Sequence, residues 1–106
     1  MDMNEINELD EIIDIEIYAK EGKEPPFGKK IKYRVRIDDT HYVIDSRNPT
    51  GRELLVIAGK TPPEQYRLDQ KLRGGLTKKI ELDERVNLAQ PGVERFMTIP
   101  LDATEG

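Results

Sequence analysis

Residues 30–37 read KIKYRVRI, and the strict alternation of basic and apolar side chains predicts a β-strand with two different faces. The apolar residues fall on the face predicted to pack into a core, and the lysines and arginines on the face predicted to meet water. Residues 38–40 (DDT) follow with turn chemistry, and residues 41–45 (HYVID) supply a second strand. The stretch therefore predicts an antiparallel hairpin with these inward-facing residues: Tyr33, Val35, Ile37, Tyr42 and Ile44.

A short helix is predicted downstream of the hairpin, from residue 50 to the glycine at position 59. Thr50 and Glu53 have the spacing of a capping box, in which each side chain bonds the other residue's backbone amide. Gly59 stands where a glycine commonly ends a helix. The predicted buried face of this helix consists of Leu54, Leu55, Ile57 and Ala58.

Three further strands are predicted at residues 65–70, 78–82 and 95–99, and Gly74-Gly75 supplies a turn between the first two. The order strand, strand, helix, strand, short strand, strand lays one helix across one face of a sheet. We therefore predict an α+β domain over residues 29–100, with a mixed sheet of four to five strands in the β-grasp arrangement.

Residues 1–28 are predicted to form an acidic extension and linker outside this domain. Residues 1–24 hold nine acids and two lysines (2 − 9 = −7), whereas residues 25–106 hold twelve acids and fifteen bases (15 − 12 = +3). A helix with one apolar stripe is indicated by the spacing of Ile6, Leu9, Ile13 and Ile17. Residues 13–17 (IDIEI) also alternate as a strand does, but we predict a short helix followed by a linker, and hence a partly helical extension.

The composition argues against several functional classes. The chain has no cysteine, and therefore no thiol nucleophile or thiolate metal site. His41 has no evident acid or nucleophile partner and is predicted to be an exposed strand residue, and the turn acids Asp38 and Asp39 are expected to accept backbone hydrogen bonds. Basic and aromatic residues do not cluster as in a nucleic-acid platform, and no apolar run suits a membrane. We expect a cytoplasmic protein that is not an enzyme and holds no metal or cofactor.

The C-terminal end has the character of an extended tail, predicted to be flexible over residues 101–106. Pro100 has no amide hydrogen, so strand pairing is predicted to stop at about Ile99. The six residues that follow can span roughly 20 Å when extended. Because Gly106 has no side chain, nothing on its Cα obstructs attack at a terminal carbonyl group.

Several motifs resemble one known group of proteins. Residues 61–68 (TPPEQYRL) are similar to the segment of ubiquitin that leaves its helix through Pro-Pro and enters a strand. The chain from about residue 15 to residue 106 resembles the bacterial multiubiquitin family, which is ubiquitin-like. The similar motifs are YAKEGK (18–23), YRVRID (33–38), TGRE (50–53), KLRGG (71–75), PGVERF (91–96) and IPLDATEG (99–106).

This resemblance implies a protein modifier that is encoded beside its own enzymes, in operons often tied to antiphage defence. An activating enzyme would use ATP and magnesium to adenylate the carboxylate of Gly106, and a conjugating enzyme would pass the acyl group to target proteins. A deconjugating or processing peptidase would act on the same end. The tail implied to enter the enzyme channel consists of Leu101, Asp102, Ala103, Thr104 and Glu105.

Two departures from ubiquitin bear on recognition. The LRGG sequence at residues 72–75 spells ubiquitin's conjugating end but lies inside the domain, so we predict a hairpin turn there. Asp69 stands where ubiquitin has an exposed isoleucine, so the usual readers of ubiquitin are expected to bind poorly. We predict instead a partner surface that includes Arg67, Asp69 and the exposed side chains of Met97 and Ile99.

Two alternative functions remain open from the sequence. A β-grasp sulfur carrier is also adenylated at its terminal glycine. Such carriers generally end in Gly-Gly, whereas Glu105 precedes Gly106 here. A non-covalent adaptor would use the sheet and the acidic extension to bind a protein.

Overall fold

Six strands and two α-helices form the domain in the computed structural model, which describes residues 10–101. One helix packs on one face of a mixed sheet, and the predicted α+β, ubiquitin-like β-grasp fold is confirmed. In chain order the elements are β1 (Glu11–Asp14), α1 (Ile15–Lys20), β2 (Ile31–Ile37), β3 (Thr40–Ile44), α2 (Gly51–Ile57), a 3₁₀ turn (Pro63–Gln65), β4 (Tyr66–Leu72), β5 (Thr77–Ile80) and β6 (Val93–Pro100).

The strand β2 organises the sheet because three other strands pair with it. β3 runs antiparallel along one edge, with Tyr33 opposite Ile44. β1 runs parallel to residues 31–34 of β2, and β6 meets β2 only at the pair Ile37 and Phe96. Since β3 overlaps both of these segments of β2, β1 and β6 must follow one another along the opposite edge. β4 continues the sheet beside β6, and β5 forms its far edge.

The core lies between α2 and the apolar face of β2. The side chains of Tyr33, Val35 and Ile37 are buried as the alternation predicts, and Leu54 and Leu55 of α2 pack against them. The prediction for Ile57 is wrong, since its side chain is 42% exposed. Ile57 lies about 110° around the helix from the midpoint of Leu54 and Leu55, so its side chain falls at the margin of the buried face.

Residues 11–20 belong to the packed structure and differ from the predicted helical extension. Ile13 and Ile15 are buried in the core, whereas Ile17 is exposed, so the stripe with helical spacing is wrong. Of that stripe, Ile6 and Leu9 lie outside the described residues. Each pattern holds for part of the segment: residues 11–14 form the strand β1 on the open edge of β2, whereas residues 15–20 form the helix α1. β1 is therefore the strand that brings the sheet to six.

The short helix α1 begins at a cap and is held by ion pairs. The Asp14 carboxylate accepts hydrogen bonds from the amides of Glu16 (3.1 Å) and Ile17 (3.4 Å). Glu16 is bonded by Arg36 of β2, through Nε to Oε1 at 3.0 Å and through a terminal nitrogen to Oε2 at 2.5 Å. Lys20 Nζ lies 3.3 Å from the same carboxylate. Arg36, predicted to face water, is therefore partly covered by the acidic segment.

The Glu16 carboxylate is stabilised in its charged form. Burial acts to raise the pKa of Glu16, but hydrogen bonds from Arg36 and Lys20 outweigh it, and the pKa lies below the ordinary value of 4.5. The Glu16 side chain is 12% exposed and that of Arg36 24% exposed, so solvent screens this pair less than a surface pair.

Substituting Glu16→Gln is predicted to lower the free energy of unfolding by about 1.5–3 kcal/mol near neutral pH, as for hydrogen bonds to charged groups. Because the pKa of Glu16 is lower in the folded state, its stabilising contribution is present above the unfolded pKa and is lost as pH falls through the folded value. Urea denaturation should therefore show the difference between parent and variant shrinking in acid.

The matched control is Glu11→Gln, which changes an exposed acid on the neighbouring strand. It should leave the unfolding free energy within about 0.5 kcal/mol of the parent. Equal stabilities of the Glu16→Gln variant and the parent near neutral pH would contradict the assigned role of this ion pair.

Candidate functional site

The base of the C-terminal tail is fixed by β4. Pro100 pairs with Tyr66, and the Leu101 amide donates a hydrogen bond to the Gln65 carbonyl at 2.8 Å. The prediction that pairing stops at Ile99 is therefore wrong, because a proline removes only its own donor and leaves the next amide free to bond. Leu101 is exposed, and Asp102, Ala103, Thr104, Glu105 and Gly106 lie outside the described residues.

Asp38 joins the turn of the first hairpin to the last strand. Its carboxylate accepts hydrogen bonds from the Thr98 amide (2.9 Å) and from the Thr98 hydroxyl (2.6 Å). The Asp38 amide in turn donates to the Phe96 carbonyl at 2.9 Å. Asp38 has a φ of 56°, a left-handed value that aspartate tolerates better than most residues. As predicted, this turn acid accepts a backbone hydrogen bond.

This carboxylate occupies a place where β-ladder bonds are few. β2 and β6 share a single register pair, Ile37 with Phe96, so Asp38 extends their attachment by two residues toward the tail. Lys60 Nζ lies 3.8 Å from the same carboxylate and adds a weaker attraction. Thr98, two residues before Pro100, is thereby held on both sides, by β4 and by Asp38.

The structure brings together the four residues of the predicted partner surface. Arg67 lies opposite Ile99, and Asp69 lies opposite Met97, on adjacent antiparallel strands. These side chains point away from α2, since the alternate residues of both strands face the core. Arg67 Nε donates to Asp69 Oδ1 at 2.9 Å.

Exposure on this face is uneven. Arg67 and Ile99 are exposed, Asp69 is buried, and Met97 is only half-buried because its neighbours cover part of it. The prediction that the Met97 side chain is exposed is therefore only partly correct. The role of these four residues in binding a partner stays a prediction.

The internal LRGG sequence forms a turn, as predicted. Gly74 and Gly75 have φ values of 93° and 90°, a region that favours glycine. The Leu72 amide donates to the Leu76 carbonyl at 2.7 Å, which closes the hairpin between β4 and β5. Because β6 follows this turn, cleavage after Gly75 would remove the strand that carries the core residue Phe96.

An apolar groove that the sequence did not reveal lies between β3 and α2. Its volume is about 530 Å³, and the exposed side chains of Val56 and Ile57 line it. One sequence signal could have revealed this groove. Leu54 and Leu55 already fill the buried face of the seven-residue helix α2, so the next two aliphatic residues, Val56 and Ile57, are left for another surface.

Between residues 10 and 101 no three histidine, aspartate or glutamate side chains are grouped so as to hold a metal ion. In the same range no helix has both the length and the apolar character needed to cross a bilayer. His41 is exposed on β3, as predicted.

Comparison with known families assigns the chain to one of them. The family model described as Multiubiquitin matches residues 33–100, more than half of the chain. The chain belongs to the multiubiquitin family. This match covers most of β2 and all later strands, while β1 and α1 of this multiubiquitin-family protein lie outside it. No curated protein and no solved structure matches the chain.

The contact between Asp38 and Thr98 is testable with a substitution that keeps the turn. Asp38→Gly keeps the turn, because glycine tolerates the positive φ, and removes the bonds to Thr98 together with the weaker attraction to Lys60. We predict faster hydrogen exchange at the Thr98 amide and a loss of about 1–3 kcal/mol in unfolding free energy. NMR-detected exchange and urea denaturation measure the two effects.

Asp39→Gly is the matched control, because Asp39 is exposed in the same turn and makes no bond to β6. Its Thr98 amide should exchange at the parental rate. Unchanged protection of Thr98 in the Asp38→Gly variant would show that β4 alone holds the end of β6.

Proposed function

We propose that this multiubiquitin-family protein is a modifier in a bacterial ubiquitination-like pathway, attached to target proteins through the carboxylate of Gly106. The observation that best supports the proposal is the base of the tail. Leu101 is bonded to Gln65, and Thr98 is bonded to Asp38, so residues beyond 101 start from a fixed point on a β-grasp domain.

The proposed chemistry uses this chain as a substrate. An activating enzyme binds ATP and magnesium, and a carboxylate oxygen of Gly106 attacks the α-phosphorus and displaces pyrophosphate. An enzyme thiolate then attacks the acyl carbon and displaces AMP, and the thioester passes to a conjugating enzyme and on to a nucleophile of the target. ATP and magnesium belong to the activating enzyme in this scheme, and the chain supplies no catalytic group.

Residues 101–105 would connect the domain to the reacting carboxylate. Six residues from Leu101 to Gly106 span at most about 20 Å, enough to cross a narrow channel into an active site. The absence of a Cβ on Gly106 leaves the carbonyl carbon open to the attacking thiolate. A deconjugating or processing peptidase would act on the same segment.

Cytoplasmic location and a role in antiphage defence complete the proposal. Both follow from the pathway that the family resemblance implies. A phage-challenge assay that compares cells carrying the intact operon with cells lacking this chain would test the defence role. Equal plaque counts in the two strains would remove that part of the proposal.

Deleting Gly106 is predicted to abolish charging by the activating enzyme of the same pathway. Incubated with that enzyme, ATP and magnesium, the full chain should form an adenylate or an enzyme thioester, and the chain ending at Glu105 should form neither. Intact-mass spectrometry detects both species. Glu24→Gln, an exposed change in the loop between α1 and β2, is the control that should charge as the parent does.

The same spectra separate the proposal from its nearest alternative. Normal charging of the chain without Gly106 would refute the proposed attachment site. A product in which one terminal oxygen is replaced by sulfur, with no conjugates formed, would assign the protein to the sulfur carriers instead.

A further inference from the structure

Among the described residues three strands, β1, β3 and β5, have only one partner strand, and the edges β3 and β5 differ in how they are protected. Natural edge strands commonly carry lysine or proline, which discourages pairing with another chain. β5 carries Lys78 and Lys79, whereas β3 (THYVI) has no lysine, no proline and no acid. Among residues 10–101, β3 pairs only with β2. β3 is therefore the edge that leaves room for an added strand.

The backbone of β3 presents hydrogen-bonding groups at this edge. In an antiparallel pair, alternate residues direct their amide and carbonyl groups to the partner, and the residues between them direct theirs outward. Ile37 and Thr40 close the two-residue turn, so Thr40, Tyr42 and Ile44 face β2. His41 and Val43 consequently direct their amide and carbonyl groups toward the open side.

An apolar groove runs beside the same edge. Val56 and Ile57 are 49% and 42% exposed, and their side chains line a groove floored by Ile44 and Pro49. A strand added to β3 would point alternate side chains toward α2 and into this groove. The geometry thus suits an extended segment whose alternate side chains are aliphatic.

The charges around the groove are mainly acidic. Asp39 and Asp45 flank the two ends of β3, and both are exposed. Glu53 in the groove wall accepts a bond from the Thr50 amide at 2.9 Å, a neutral donor that leaves its charge in place.

The nearby cations do not reverse this balance. Arg52 lies 2.7 Å from Glu64 and 3.6 Å from Asp83, so two acids face one base. Lys32 Nζ lies 3.0 Å from Asp45, whose side chain nonetheless remains 80% exposed. The field around the groove therefore favours a basic segment over an acidic one.

This charge pattern argues against occupants that come from the chain itself. In an antiparallel dimer centred on Tyr42, Asp39 of one copy would face Asp45 of the other, and like charges placed opposite each other destabilise a sheet. Residues 1–9 contain three acids and no base, and residues 102–106 contain two acids and no base. Neither terminal segment has the basic residues that would complement the groove.

We propose that β3 and the groove beside it bind an extended segment of another protein, with alternating aliphatic side chains and a lysine or arginine at each end. Backbone bonds to His41 and Val43 would supply the pairing, and Val56 and Ile57 would contact the aliphatic side chains. The proposed contacts involve β3 and α2 and no residue of the C-terminal segment, so the proposal stands or falls independently of the attachment at Gly106.

A capped synthetic peptide, KVTVTVK, is the probe, titrated into the isotope-labelled full chain. NMR should show slower hydrogen exchange at the His41 and Val43 amides and shifted signals along β3 and α2, with β5 unaffected. The acid-flanked peptide EVTVTVE should bind at least about tenfold more weakly, and added salt should weaken binding of the basic peptide. Methylating the peptide nitrogens that face β3 should abolish the exchange protection.

Two isoleucines on short helices make a matched pair of variants. Ile57→Ser should weaken binding of KVTVTVK by about tenfold, whereas Ile17→Ser, on α1 and 52% exposed, should leave it unchanged. Circular dichroism checks that both variants fold.

Several results would overturn the proposal. They are absence of exchange protection at His41 and Val43 at saturating peptide, equal binding of the acidic peptide, and equal binding of the methylated peptide. Protection of the same amides in the free chain together with a dimer in sedimentation analysis would assign the edge to a second copy instead.

Discussion

β2 has two hydrogen-bonding edges, and three strands pair along them. β3 takes one edge through the two-residue turn, and β1 and β6 divide the other, with β1 on residues 31–34 and β6 at Ile37. β1 occupies the first half of this edge of β2, and the parallel contact between β2 and β6 consists of one residue pair. Beyond that pair, the attachment of β6 to the β2 side is made by the Asp38 carboxylate, which accepts hydrogen bonds from Thr98. The acidic segment, the hairpin turn and the base of the tail therefore depend on one strand.

The two faces of β2 serve different partners. Its apolar residues fill the core under α2, while Arg34 and Arg36 on the other face meet Asp14 and Glu16. The chain's uneven charge, −7 over residues 1–24 and +3 over the rest, thus has a structural use, since part of the acidic segment lies on basic side chains of the strand. The uneven charge that suggests an appendage in the sequence is part of what docks the segment.

Features encoded by neighbouring residues could be predicted. The hairpin depends on alternation and a two-residue turn, and the capping box of Thr50 and Glu53 is present with bonds of 2.9 and 3.1 Å. The Gly74-Gly75 turn likewise follows from residues that tolerate positive φ. In each case the sequence separation is small, so local preferences and final structure agree.

Features that depend on distant contacts could not be predicted. β1 pairs in parallel with a strand twenty residues away, and nothing in residues 11–14 specifies that register. The helix α1 has six residues, too few to be stable without the packing of Ile15 and Ala19. The bond from Leu101 to Gln65 and the groove beside Ile57 likewise appear only when separate segments are brought together.

In the candidate site, the base of the tail illustrates both cases. The strand that leads into the tail and the pairing of Arg67, Asp69, Met97 and Ile99 on one sheet face follow from alternation. The attachment of Thr98 to Asp38 joins residues sixty apart and has no local signal. The proposed modifier role requires such an anchor. A loosely held last strand would not fix the point from which the reacting C-terminal segment starts.

Native-state hydrogen exchange of the full chain over increasing urea tests most directly whether residues 11–20 are an integral part of the domain. If they are, the bonded amides of β1 and α1 exchange through the same global unfolding as the amides of β2, with the same free energy and the same dependence on urea. Exchange of β1 and α1 through a local opening at low urea, while β2 stays protected, would contradict this and return these residues to the status of a separable extension.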